Sequence, residues 1–165
     1  MIASRTAGAN VLAWTFVTVQ MLLLAALTIL PFTGGAEAFV PTAWIGYGLS
    51  LLGVVGAALA GRRLGRGLTA SPLPNANAQL QVDGPYAWVR HPIYTAVLLF
   101  GLGRVVGTVG STRLIWSVAG FAALVAWLVA KSTWEEARLR ERFPGYDDYA
   151  SGTARFVPRI PRSRR

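Results

Sequence analysis

Arg90 and His91, the chain's only histidine, stand directly before Pro92 at the mouth of a long apolar stretch. Ionisable groups beside lipid are costly and tend to mark functional sites. Lys131 and the pair Glu135-Glu136 follow another apolar stretch at a similar boundary, and Tyr86 and Tyr94 flank the histidine. Guanidinium, imidazole, ammonium, two carboxylates and phenols beside greasy helices suit a polar ligand that meets an apolar one. Plainer readings exist for each residue. Arg90 and His91 read as interfacial anchors, and Tyr86, Trp88 and Tyr94 as aromatic-belt residues. Lys131–Glu135 and Glu136–Arg140 read as i,i+4 pairs worth about 0.2–0.5 kcal/mol each on an exposed helix. Convergence of all these groups at one membrane face favours the functional reading, so the elements that carry them decide the matter.

The chain has 165 residues, of which 53% are hydrophobic and 14% charged, with mean hydropathy +0.45. Soluble domains average about 25% charged residues, so this chain lacks polar surface and points to a membrane. Its length suits a single domain, 1–165. The net charge of +9 comes from basic residues lying between and after apolar runs, unlike the clustered basic face of a nucleic-acid binder; no nucleic-acid partner is expected. With no cysteine and one histidine, disulfides, thiolate sites and a multi-histidine metal cage are excluded; no metal site is expected.

Four apolar runs, 11–30, 43–61, 92–109 and 114–130, approach the roughly 20 residues needed to cross the hydrocarbon core. Spanning segments must be helical, because unpaired backbone groups are too expensive in lipid. The expected fold is therefore all-α: a polytopic membrane protein of four transmembrane helices, with a cytoplasmic C-terminal amphipathic helix and tail. That last helix should run on to about Phe143, where Pro144-Gly145 stops it. With the N-terminus inside, fourteen of the sixteen Lys and Arg residues fall on the cytoplasmic side, so both termini are expected there, in the cell membrane. Arg104, toward the other side, is expected to snorkel to the interface. Arg5, the first apolar run and Ala36-Glu37-Ala38 resemble a signal peptide, but the run exceeds the usual 7–15 residue core. Small residues at four-residue spacing, Gly53, Ala57 and Gly61 and then Gly103 and Gly107, would let helices approach closely, within or between chains. "GLGRVVG" looks like a dinucleotide loop but has no strand before it.

The third and fourth runs, joined near Gly110-Ser111-Thr112, should form an antiparallel hairpin. A hairpin that crosses twice returns to its starting surface. Arg90-His91 and Glu135-Glu136 should then be neighbours in space.

In this arrangement the residues resemble the integral-membrane methyltransferases, among them the isoprenylcysteine carboxyl methyltransferases and the phospholipid N-methyltransferases. The likeness rests on Gly84-Pro85-Tyr86, Arg90-His91-Pro92-Ile93-Tyr94, Glu135-Glu136-Ala137-Arg138-Leu139, then Phe143, Tyr146, Tyr149 and Arg155-Phe156-Val157-Pro158. It covers residues 73–158, about half the chain. The resemblance implies S-adenosyl-L-methionine as cofactor, with Leu80, Gln81, Tyr86, Arg90, His91, Pro92, Ile93, Tyr94 and Glu135 around it. It implies Lys131 as a substrate contact, where the carboxyl methyltransferases have an arginine. The reaction implied is methyl transfer to an O, N or S nucleophile of a lipophilic small molecule or lipid, with Glu136 as the candidate base for an amine acceptor. Thr95-Ala96 and Ala78 depart from the pattern, where the family often has glycine and the eukaryotic enzymes a histidine. Two other classes compete. Membrane sterol-type reductases share a similar Arg-His-Pro-x-Tyr region and use NADPH, and a non-catalytic membrane assembly module would have the same helices. Neither the methyl acceptor nor the oligomeric state is legible.

Overall fold

The computed structural model describes residues 2–29, 42–68 and 79–158, and all of its regular elements are helices. They are α1 (Ile2–Ile29), α2 (Thr42–Leu64) with a 3-10 turn after it (Gly65–Gly67), the single turn α3 (Pro85–Trp88), α4 (Pro92–Val106), α5 (Leu114–Arg142) and α6 (Tyr146–Gly152). Gly8–Ile29, Thr42–Leu64 and Leu114–Arg142 are long and apolar enough to cross a membrane. α4 is shorter, at 15 residues. Its helix closes at Val106, three residues before the expected end of the third run. There the ladder tightens to i→i+3 bonds at Thr108 and Val109, and Gly110 turns the chain with φ +90°. Leu30 and Pro31, the expected end of the first span, lie outside the described residues, as does Ala78.

The burial pattern is inverted relative to a soluble domain. Trp14, Trp44, Ile45, Leu51, Ile115 and Trp116 face outward, while Gln20, Ser50, Ser117, Lys131, Ser132 and Glu136 are buried. Large apolar groups on the perimeter suit a hydrocarbon surround, and polar ones inside find partners there. This is the pattern of a multi-pass membrane protein.

α2 and α4 run antiparallel along a seam of bare backbone. A Cβ built on Gly46 would lie 2.5 Å from Gly103 O, and one on Gly53 would lie 2.7 Å from Ala96 O. Thr42 and Ser50 cross the seam to donate to Val109 O at 3.1 Å and Phe100 O at 3.3 Å. Of the small residues so spaced, Gly53, Gly103 and Gly107 lie in this seam within the chain, whereas Gly61 meets the Leu68 side chain instead. α1 lies antiparallel to α5: Trp127 Nε1 donates to Phe16 O at 3.1 Å, and Leu27 reaches Gly120 at the far end. Leu27, Tyr94, Leu124 and Leu128 form the apolar core between α1, α4 and α5. Arg104 does not snorkel. It is 9% exposed, its Nε faces Leu27 O at 3.4 Å in the last turn of α1, and its guanidinium lies 5.8 Å from the Tyr47 ring centroid. A cation there answers carbonyls that the helix end leaves open.

These pairings put the start of α1, the end of α2, the start of α4 and the end of α5 at one end of the bundle.

Candidate functional site

Gly84, with φ +60°, turns the chain into α3 in a conformation that costs a side-chain-bearing residue strain. Pro85 and Pro92 open α3 and α4, where a missing N–H costs nothing. Between them Val89 runs extended and pairs in parallel with Ala154. Arg90 N–H donates to Ala154 O at 2.7 Å and His91 N–H to Arg155 O at 3.1 Å. Tyr149 Oη donates to Tyr86 O at 2.6 Å, and Thr95 Oγ1 to Phe156 O at 2.7 Å. The C-terminal segment is thereby laced along residues 86–95, and the departure at Thr95 has a structural use.

Glu136 sits at the centre, 1% exposed. Its Oε1 accepts from Arg90 Nε at 3.2 Å, His91 Nε2 at 3.1 Å and Arg155 Nε at 3.1 Å, and its Oε2 from Arg155 Nη2 at 3.0 Å. Arg140 Nη2 stands 3.7 Å from Oε2. A carboxylate so engaged is a strut for the residues around it. Arg90 is equally committed: its Nη1 donates to Ala150 O at 2.9 Å and to Thr153 O, fastening the end of α6.

Glu135 differs. Its Oε2 accepts from Tyr94 Oη at 2.7 Å and lies 3.9 Å from His91 Nδ1. The His91 ring thus lies between the two carboxylates, with Nε2 toward Glu136 and Nδ1 toward Glu135. The His91 and Tyr94 rings stack, with centroids 5.2 Å apart and planes 5° apart. Lys131 makes no pair with Glu135, contrary to the i,i+4 expectation. Only 3% exposed, it donates to Gln20 Oε1 at 2.7 Å and lies 5.1 Å from the Tyr94 ring centroid. Burial has turned it into the bundle, where Gln20 of α1 replaces water. The Glu136–Arg140 pair does form.

Tyr86 and Tyr94 are buried and so are not belt residues, whereas Trp88 is 65% exposed and fits that reading. Burial first, and then the Glu135 carboxylate, raises the Tyr86 phenol above its ordinary range. Burial, with Glu136 next, does the same to Tyr146. Tyr149 is pushed up to about 12 by burial, with Arg90 opposing. These phenols keep their protons at neutral pH. Tyr146 Oη is buried and has no hydrogen-bond partner among the described residues, an omission that costs roughly 1–3 kcal/mol. Pro92 is buried and Ile93 packs on the apolar core, so both support the site through the backbone. Leu80 and Gln81 lie half-buried in the irregular segment leading to Gly84. Neither shares a hydrogen bond with the cluster.

A family model described as a protein of unknown function, DUF1295, matches residues 3–153. The chain belongs to that family. Among curated relatives, the nickel-cobalt-cadmium resistance protein NccN of Alcaligenes xylosoxydans xylosoxydans is 29% identical over 120 residues, covering 71% of this chain and 53% of that protein. The cobalt-zinc-cadmium resistance protein CzcN of Cupriavidus metallidurans is 31% identical over 118 residues, covering 71% and 52%. This DUF1295 chain thus spans about half the length of the curated relatives it matches. Among its described residues no group of three or more His, Cys, Asp or Glu is placed to hold a metal ion.

The residues that reading the sequence missed are Arg155, Gln20 and Thr95. Arg155 lies inside the Arg-Phe-Val-Pro element, and its guanidinium is the bidentate partner of Glu136. Gln20 is the lone amide in an apolar run, a signal that alone asks for a buried polar partner.

Proposed function

We propose that this chain is an integral-membrane methyltransferase that uses S-adenosyl-L-methionine to methylate a lipophilic small molecule or lipid. The observation that carries the proposal is the asymmetry of the two carboxylates: Glu136 is saturated, whereas Glu135 keeps an oxygen for a ligand beside the stacked faces of His91 and Tyr94. A carboxylate next to aromatic faces fits a molecule that carries both an ammonium and a sulfonium. When bound, that molecule would supply an activated methyl group on its sulfonium.

The chain's own part is positioning. Glu135 receives the ammonium beside the His91 ring, and Tyr86 and Tyr94 line the cationic region. Holding two reactants near attack distance contributes several kcal/mol without any acid or base. Lys131, held by Gln20 at 2.7 Å, offers its remaining donors to an anionic head on the acceptor. Arg90, Arg155 and Glu136 keep the wall of the site in place. We read α4, about 22 Å long at 1.5 Å per residue, as a fourth crossing completed by the turn after Val106, with both termini cytoplasmic. The acceptor's tail then enters sideways from lipid. A methylated membrane constituent is compatible with the resistance named in the two relatives, since it asks for no metal ligands.

The test incubates purified chain in nanodiscs with methyl-labelled cofactor and a bacterial lipid extract, and follows label into the organic phase. Labelled product is expected. Binding of NADPH with no binding of the methyl donor would replace this reading with the reductase one, and binding of neither would leave an assembly module.

A further inference from the structure

Most arginines of this chain find a partner inside it. Arg90 and Arg155 bond to Glu136, Arg104 meets the Tyr47 ring, Arg138 lies 3.3 Å from the Trp134 ring centroid and Arg140 pairs with Asp147. Arg62 and Arg63, in the last turn of α2, differ. Both are exposed, and among the described residues neither guanidinium has a hydrogen bond or an ion pair. Nothing in the surrounding sequence neutralises them, because residues 42–82 contain no Asp or Glu. Asp83, itself exposed, pairs with neither.

Their neighbours are apolar. A Cβ on Gly84 would lie 3.4 Å from Arg63 Nε, so that side chain rests against the turn into α3, whose last residue, Trp88, is 65% exposed. The α2–α4 register agrees: with Gly53 opposite Ala96 and Phe100, the end of α2 reaches past the start of α4 to the level of α3. Back along α2, Leu59, Val55 and Leu52 continue the stripe of Arg63 at four- and three-residue spacing, and all three are exposed. The guanidinium fork matches phosphate oxygens. A tryptophan settles at the level of lipid head groups, and the leucine-valine stripe gives an acyl chain an apolar surface to lie along. A soluble phosphate would use only the first of these, whereas a lipid uses all three. Two cations with no acid beside them call for a head group of net negative charge.

We propose that the end of α2 and the edge of α3 form a binding site for an anionic phospholipid of the adjacent leaflet. Arg62 and Arg63 take its phosphate, Trp88 lies beside its glycerol backbone, and one acyl chain follows Leu59, Val55 and Leu52. This site does not depend on the methyl-donor reading.

Native mass spectrometry tests it on the full chain in detergent, titrated with dioleoyl phosphatidylglycerol or dioleoyl phosphatidylcholine. Wild type should hold phosphatidylglycerol at least about tenfold more tightly. R62Q/R63Q should weaken phosphatidylglycerol about thirtyfold and phosphatidylcholine by less than about threefold, as expected for removing two basic residues from an anionic head group. Trp88→Ala should weaken both lipids alike, since the indole meets the part that they share. Arg113→Gln, in the α4–α5 turn at the other end of the bundle, should bind both as wild type does. The ligand-free melting temperature of R62Q/R63Q should equal that of the wild type, because neither guanidinium has a bond to lose. Equal affinity of the wild type for the two lipids, or equal losses in R62Q/R63Q and Arg113→Gln, overturns the site. So does unchanged binding in Trp88→Ala, or a lower ligand-free melting temperature in R62Q/R63Q, which would mean that the arginines are already engaged.

Discussion

Between α2 and α4 the chain uses almost no side chain at all: Gly46, Gly53 and Gly103 let one backbone rest on another. Where α5 meets residues 84–95 and the C-terminal segment, the reverse holds, and Glu136 alone gathers Arg90, His91 and Arg155. Lipid offers no hydrophobic drive between helices and no water for stray charges, so the seam relies on shape. At the polar end each charge needs a named partner. In the seam nothing is left over. In the knot, among the described residues, Glu135 bonds through one oxygen only and the buried Tyr146 hydroxyl has no partner, and incomplete satisfaction is where a ligand has room to act.

The comparison breaks most violently in the seam. A Cβ at Gly103 would lie 2.5 Å from Ser50 Oγ and 2.6 Å from Gly46 O, and backbone cannot step aside as a flexible side chain does. Gly103→Val should cost more than about 3 kcal/mol, at or beyond the upper end of ordinary overpacking. It should abolish the monodisperse peak in detergent size-exclusion chromatography. Gly48, which meets nothing within 4 Å, is the control: Gly48→Val should elute as wild type does.

Next come the adjacent carboxylates. Glu136→Ala strands three buried or half-buried partners, and breaking such a pair by removing one side costs about 3–5 kcal/mol. At roughly 2–4 °C per kcal/mol for a chain of this size, the melting temperature should fall by about 6–20 °C. Glu135→Gln gives up little in the ligand-free protein, since an amide oxygen still accepts from Tyr94. Its melting temperature should move by less than about 3 °C, within the roughly 1 kcal/mol of a single hydrogen bond. Its affinity for S-adenosylhomocysteine, by contrast, should drop at least about tenfold, the worth of a charge-assisted contact. Equal thermal losses in the two variants would show that the distinction between strut and ligand group is wrong.

Much of this arrangement was legible from residue order alone. The run of α5 to Arg142 followed from Pro144-Gly145, and the meeting of His91 with Glu135 and Glu136 followed from a hairpin that returns to its starting end. Which carboxylate is open and which is tied was not legible, because i,i+4 spacing treats Glu135 and Glu136 alike. The difference comes from Arg155, whose arrival beside Glu136 depends on the C-terminal segment pairing with Val89 through a single bridge. Spacing also misread Lys131 and Arg104. It described both as solvent- or interface-seeking, whereas Gln20 and the end carbonyls of α1 lie within reach and draw them inward. Long-range partners of that kind leave no mark on local periodicity.

Two neighbouring residues of α4 bring the seam and the knot within one peptide bond. Ala96 faces α2, where its carbonyl would lie 2.7 Å from a Cβ on Gly53, and Thr95 faces the C-terminal segment. The Thr95 hydroxyl has one proton and two acceptors, Phe156 O at 2.7 Å and His91 O at 3.2 Å. The second is the i−4 back-bond that a helix does without, so the tie to Phe156 is the one that matters. Thr95→Ala should therefore cost about 1 kcal/mol, a fall of about 2–4 °C, with faster proteolytic trimming of the C-terminal segment and an undisturbed α2–α4 seam. Ala96→Leu, one residue along, should behave instead like Gly103→Val. A Thr95 variant that resists trimming as the wild type does would mean that the segment is held by the Glu136 knot alone, and that the line between the two regions runs between α4 and residue 156 rather than along α4 itself.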